Sequence, residues 1–163
     1  MVPRGDVQWL DASHTVAQAL HWFCGDPFYT EVRRVLKPGG ILAAWTYTLL
    51  RGEPALNSIV EDFYRHTVGP WWPPERRWVD LAYRDMPFPF ADLATPDFEI
   101  RLEWTLDDLL AYLRTWSATQ RYIKEKGSDP CIELGERLLS VWPKPDDRKS
   151  IIWPIALRCG RVE

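Results

Sequence analysis

Cysteine is scarce in this 163-residue chain, and the three present, Cys24, Cys131 and Cys159, are odd in number and far apart. They form no C-x-x-C and stand beside no paired histidines, which argues against a disulfide framework and against a structural zinc site. Free thiols in a reducing compartment fit that pattern, so a cytoplasmic location and no metal are expected. Long apolar runs are lacking too. The longest uncharged one, about Ile41 to Leu50, falls well short of the ~20 residues that cross a bilayer, and the opening Met1-Val2-Pro3-Arg4-Gly5-Asp6 has no apolar signal core. No membrane partner is expected. Charge of one sign is also missing: 20 Lys and Arg stand against 23 Asp and Glu, a formal net charge of −3, with the basic residues scattered. That leaves no electrostatic footprint for nucleic acid. No internal repeat or low-complexity tract is found.

Aromatic residues and proline, by contrast, are plentiful, with 10 tryptophans and 14 prolines. Many of them fall between Trp71 and Pro96, where Trp71-Trp72-Pro73-Pro74-Glu75-Arg76-Arg77 and Met86-Pro87-Phe88-Pro89-Phe90 cannot form a long regular element, because proline removes donors and restricts its neighbour. Residues 70–96 read as a packed insertion or lid within a single domain, the domain count expected at this length.

Around that stretch the chain alternates strands and helices. Thr15 to Leu20 is a short apolar run that suits a buried strand. Asp26 is expected to cap a helix with Pro27 at its first position and Phe28, Val32, Val35 and Leu36 on its buried face. Lys37-Pro38-Gly39-Gly40 stops that helix: a cation meets the negative helix end, proline cannot continue the turn and glycine accepts positive φ. Ile41 to Tyr47 then runs apolar without alternation, as a strand covered on both faces of a parallel sheet does. A second helix is predicted over 54–67. Phe98 to Trp104 alternates apolar and charged residues, predicting a strand with one wet face near a sheet edge. Thr105 with Asp108 opens an amphipathic helix carrying Leu106, Leu109, Leu110, Leu113 and Trp116. A further helix is predicted from the cap Asp129 to about Trp142, and a last strand from Ile151 to Leu157, with Pro154 implying a bulge or an edge position.

The segment Glu31-Val32-Arg33-Arg34-Val35-Leu36-Lys37-Pro38-Gly39-Gly40-Ile41-Leu42, preceded by Val16-Ala17-Gln18-Ala19-Leu20-His21-Trp22-Phe23, resembles the end of the fourth strand, the following helix and the fifth strand of class I S-adenosylmethionine-dependent methyltransferases. It is similar in particular to the methyltransferase type 11 group that includes trans-aconitate methyltransferase-like proteins. Trp-Pro-Pro-Glu-Arg-Arg and Tyr-Leu-Arg-Thr-Trp-Ser are similar to segments of bacterial members. The resemblance extends from about Asp6 onward and corresponds to the second half of the family fold. It implies a partial Rossmann-like α/β sheet of about four strands, the last two antiparallel, in a truncated methyltransferase-like domain. The family's glycine-rich cofactor loop has no counterpart here, since the nine glycines contain no G-x-G-x-G after any candidate strand.

What the resemblance implies for chemistry is alignment of a sulfonium methyl donor with a small-molecule acceptor and exclusion of water. It places Gln18, Ala19 and Trp22 at the cofactor, with Asp6 in the position of the family's adenine-edge aspartate, and His21 as the candidate base. Trp71, Trp72 and Trp116 are candidates to line an acceptor site, and Arg121, with Arg76, Arg77 and Arg114, to hold an anionic one. Each has a plainer reading: the tryptophans as core packing, the arginines as surface charge and His21 as a hydrogen-bonded structural residue. The expected function is therefore a methyltransferase-family protein using S-adenosylmethionine, whose activity needs the missing half, with a non-catalytic remnant or interaction module as the alternative. An apolar strand left at the sheet edge invites pairing with another chain, so a homodimer or a partner is expected there.

Overall fold

The computed structural model describes residues 11–23 and 25–163, so Asp6 and Cys24 lie outside the described residues. Two compact units divide the chain. The first takes the residues up to Thr48 together with Arg77–Phe98 and Ile155–Glu163, and the second takes Leu49–Arg76 and Glu99–Pro154.

The first unit opens with β1, Asp11–Ala17, then the single turn α1, Leu20–Phe23, and α2, Asp26–Val35. The first strand thus starts earlier than Thr15 and ends at Ala17 instead of Leu20. The cause is Gln18, whose φ of 51° turns the backbone left-handed and out of the sheet. Leu20, freed from the strand, is fully buried at the head of α1. Helix α2 begins at Asp26 itself with Gly25 as its N-cap residue, so Asp26 supplies a negative charge in the first turn and makes no side-chain cap.

The predicted stop holds. Helix α2 gives way at Leu36 to β2, Leu36–Tyr47, which already contains the Lys-Pro-Gly-Gly turn. Gly39 takes φ 81°, and a Cβ on Gly40 would lie 2.8 Å from the Lys37 carbonyl oxygen, so both glycines are required by geometry. Strand β2 pairs with β1 in parallel, Ser13 opposite Ile41 through Ala17 opposite Trp45. Burial along β2 alternates from Gly40 onward: Leu42, Ala44 and Thr46 are buried, while Ile41, Ala43, Trp45 and Tyr47 are half-buried. The strand is therefore fully covered on one face only, and its unbroken apolar sequence concealed the period of two.

The last strand, β5, runs over Lys149–Arg161. It pairs antiparallel with β2 from Ile155 to Arg161, and Pro154 stands just before that ladder begins, where its missing N–H costs no β2 bond. On its other side β5 meets β3, Ala91–Leu93, a strand the sequence did not announce. Strand β4, Phe98–Trp104, also pairs with β5, giving five strands with β1-β2-β5-β3 as the main order. Among the described residues β1 is bonded to β2 alone. The proline- and phenylalanine-rich stretch packs into this unit: Tyr29 Oη donates to the Pro87 carbonyl at 2.5 Å, and its ring meets Phe88 and Phe90 edge-on.

The second unit is largely helical. Helix α3, Pro54–Asp62, continues as a π-turn over Phe63–Thr67 and then a 3₁₀ turn over Gly69–Trp71, so the helix predicted over 54–67 exists with a widened last part. A short α4, Arg76–Asp80, comes next in the chain. Helix α5, Leu106–Arg114, carries the full reciprocal capping box of Thr105 and Asp108. It ends before Trp116, which instead opens α6, Ser117–Lys126, a helix that sequence patterning did not reveal. Helix α7, Cys131–Leu138, is shorter than the predicted 129–142, although Asp129 does accept from the Cys131 amide at 2.9 Å. No helix among the described residues is long and apolar enough to cross a membrane.

Candidate functional site

Strand β1 and the turn after it bring four of the predicted residues to the strand's carboxyl end, where open α/β sheets place their ligands. Gln18 leaves the strand with left-handed backbone, its amide donating to the Trp45 carbonyl at 2.8 Å. Its side-chain oxygen accepts a short hydrogen bond from the Thr46 hydroxyl, and Thr46 is fully buried. The ends of the two parallel strands are thereby tied by one side-chain bond. Ala19 follows, half-buried, and α1 then presents His21 and Trp22. The Trp22 indole is 55% exposed and Phe23 beside it 52% exposed, an unusual amount of aromatic surface to leave in water. The rings of His21 and Trp22 lie 4.9 Å apart.

His21 is half-buried and its Nδ1 sits 2.9 Å from the Tyr83 hydroxyl. Tyr83 was not among the sequence candidates. It is fully buried and has φ 59°, next to Ala82 at φ 53°. Nothing in Leu81-Ala82-Tyr83-Arg84 carries the glycine or asparagine that signals such backbone, so sequence reasoning had no handle on it.

The remaining described candidates, Arg77 apart, belong to the second unit. Trp116 is buried among Phe63, Tyr64, Trp72 and Tyr112, with ring centroids 5.6–6.3 Å away. Trp72 packs at a tilt against Tyr64 and Trp116, and its buried indole N–H has no hydrogen-bond partner among the described residues. Trp71 leans on Tyr122 at 4.7 Å and donates to Glu125. These tryptophans are packed against other rings.

The arginines divide. Arg121 is exposed and donates to the Trp71 carbonyl at 3.2 Å. Arg76 lies over the Trp72 ring at 4.5 Å and donates to the Tyr64 hydroxyl at 2.7 Å, a cation held on aromatic faces. Arg77, in the first unit, covers Trp78. Arg114 is committed to Asp129 at 2.7 Å. Burial acts to raise the Asp129 carboxyl, but the hydrogen bond from Arg114 and that from the Cys131 amide outweigh it and hold the group below the usual carboxylate range. Burial pushes the Cys131 thiol up to about 12 and the Cys159 thiol upward as well, so neither is a ready nucleophile.

For a cofactor of the sulfonium-nucleoside type, the first unit offers an exposed indole, a positioned carboxamide and the ends of two parallel strands. Those groups fit one side of such a molecule. The acidic candidate for its ribose and adenine, Asp6, lies outside the described residues.

No family model matches the sequence. A Dictyostelium discoideum protein described as "Putative methyltransferase" is 30% identical over 154 residues, which are 93% of this chain and 57% of that protein. The structure of "a Putative Type II Methyltransferase" from Anaeromyxobacter dehalogenans superposes with a TM-score of 0.83 at 42% identity, over 91% of this chain and 63% of the other. The α/β, Rossmann-like class expected from the sequence is thus found in a solved relative. Over nine tenths of its length this chain carries the fold of one part of that larger protein.

Proposed function

We propose that this chain contributes the carboxyl-terminal part of a class I S-adenosylmethionine-dependent methyltransferase, of the trans-aconitate methyltransferase-like kind, acting on a small molecule. The observation that carries the proposal is the 42% identity and TM-score of 0.83 to a protein described as a methyltransferase. The glycine-rich cofactor loop would come from outside these 163 residues. When bound, the cofactor supplies an electrophilic methyl group on a sulfonium centre. In this reading Gln18, fixed by Thr46, and Ala19 form the floor of the site, and Trp22 shields one side from water. His21 contacts the acceptor.

The side of β1 away from β2 is where further strands, or a second copy of the chain, would pair. The exposed Trp22 and Phe23 that follow the strand are surface such a partner would cover.

Calorimetric titration of the chain with S-adenosylmethionine, and with S-adenosylhomocysteine as a second ligand, tests the proposal. Saturable micromolar binding by the chain alone, or after addition of the amino-terminal part of the Anaeromyxobacter protein, supports it. No heat at millimolar ligand in either mixture, with the chain folded, removes the cofactor and leaves an interaction module.

A further inference from the structure

Strand β2 is apolar from Ile41 to Trp45 and then carries a hydroxyl, Thr46, on the same buried face as Leu42 and Ala44. Valine has the same branched shape and the same preference for strands, so packing gives no reason for an oxygen at that position. A fully buried hydroxyl also costs stability unless it is hydrogen-bonded. What it bonds is Gln18, the residue that turns left-handed at the end of β1 with φ 51°. Glutamine is not among the residues that take this backbone readily, and such a residue persists only where its surroundings over-determine it. The end of β2 does so at two points: the Trp45 carbonyl accepts from the Gln18 amide at 2.8 Å, and the Thr46 hydroxyl meets the side chain.

The second contact also fixes which way the carboxamide faces. Two acceptors stand near the Thr46 hydroxyl, the Gln18 side-chain oxygen and the Tyr47 carbonyl, and the carbonyl, at 3.4 Å, lies beyond the ~2.5–3.0 Å that hydroxyl donors keep. With the proton given to Gln18, the carboxamide oxygen faces Thr46 and the NH₂, on the other arm of the planar group, faces away from it. The opposite orientation, nitrogen toward Thr46, would leave the proton of a buried hydroxyl with the long contact alone.

We infer that Thr46 is a positioning residue for Gln18: it holds the carboxamide by its oxygen and so makes the NH₂ end the face that meets a ligand, a donor for a carboxylate or carbonyl oxygen and not a partner for an ammonium group. Glutamate at position 18 would keep the acceptor for Thr46 and reverse that preference.

The use of this donor against a ligand rests on the methyltransferase reading, whereas the positioning is a property of the chain alone and is read without cofactor. The test is ¹⁵N relaxation and water exchange of the Gln18 NH₂, measured by NMR. The chain has three glutamines, and a Gln18→Glu variant identifies the signal pair by removing it. The wild type is expected to show a side-chain order parameter above about 0.6, the upper edge of the flexible range. Thr46→Val, with an otherwise intact amide spectrum, is expected to fall below that value, and Thr46→Ser, which keeps the hydroxyl, to retain the wild-type one. A wild-type value already in the flexible range overturns the inference without any variant, and so does a Thr46→Val value that does not fall. An NH₂ proton shielded from water in the wild type and released in Thr46→Val overturns it as well, because that is nitrogen facing Thr46. For the ligand, S-adenosylhomocysteine is titrated into the chain mixed with the amino-terminal part of the Anaeromyxobacter protein. Gln18→Glu is expected to bind about tenfold more weakly than the wild type, the scale of one hydrogen bond to a charged group, and equal affinity overturns the donor role. Absence of binding by both proteins overturns the donor role together with the proposed function, while the order parameters decide the positioning separately.

Discussion

Gln18, Ala82 and Tyr83, the non-glycine residues with left-handed backbone among those described, all belong to the first unit. In the second unit the left-handed position is Gly127, where α6 ends and glycine carries no steric penalty. The second unit instead builds with rings: Phe63, Tyr64, Trp72, Tyr112 and Trp116 pack on one another, and Trp104 and Trp153 extend the group through Tyr112. Backbone strain thus falls in the unit that carries His21 and the ends of β1 and β2. That is the distribution expected when strain positions functional groups and packing supplies stability.

Removing Trp116 strikes the packed side of this comparison hardest. Trp116→Ala is expected to cost about 3–5 kcal/mol, measured by urea unfolding, because the ring is buried among four other aromatics. A loss under about 1 kcal/mol, closer to the scale of a surface change, would deny the aromatic group its structural role. Gly160→Ala comes next. A Cβ there would lie 2.5 Å from the Phe88 ring and 2.6 Å from the Phe90 Cβ, so the proline- and phenylalanine-rich stretch would have to shift off β5. An overpacking cost of about 1–3 kcal/mol is expected.

Ala82→Gly should act in the opposite direction. If the left-handed turn costs what it does elsewhere, glycine raises stability by about 1 kcal/mol, and a destabilising outcome would contradict the positive φ assigned to Ala82. The smallest expected effect is at Asp92. The hydrogen bond from Arg158 holds its carboxyl below the ordinary value. A depressed folded value stabilises the ionised form, so this contribution is complete above the unfolded pKa of about 3.9 and fades as pH falls through the lower folded value. Asp92→Asn should therefore unfold with a shallower acid limb below about pH 4. It should also loosen the Tyr83 turn, because the same Arg158 donates to the Tyr83 and Met86 carbonyls. Identical acid limbs for the two proteins would remove the Arg158–Asp92 pair from the account.

Much of the second unit could be read from residues because its signals are local. Thr105 and Asp108 are three apart, and their box forms between neighbouring turns. The leucines that follow recur at helical spacing and are buried. The miss at α6 has an equally local cause: Ser-Ala-Thr-Gln-Arg-Tyr-Ile-Lys-Glu-Lys has little apolar face, and Trp116, expected at the end of α5, is the residue before its first turn. In the first unit the Lys-Pro-Gly-Gly stop was legible, because glycine and proline announce their backbone needs. The three-residue strand β3 was not, since Ala91-Asp92-Leu93 has no pattern of its own and is a strand only because β5 offers it an edge. His21, Gln18 and Trp22 were reached through the motif around them. Tyr83, 62 residues from His21, was not, because no spacing rule links them.

The sequence by itself determined where α2 stops and α5 starts, which faces of those helices are apolar and which family the Gln18–Trp22 and Leu36–Gly40 segments resemble, since each follows from residues close together in the chain. Tertiary structure alone decided that Gln18 turns out of the sheet, that Arg158 holds the Tyr83 turn and that a buried phenol meets His21. Those are long-range contacts, and a strained residue is tolerated only when distant parts of the chain converge to hold it.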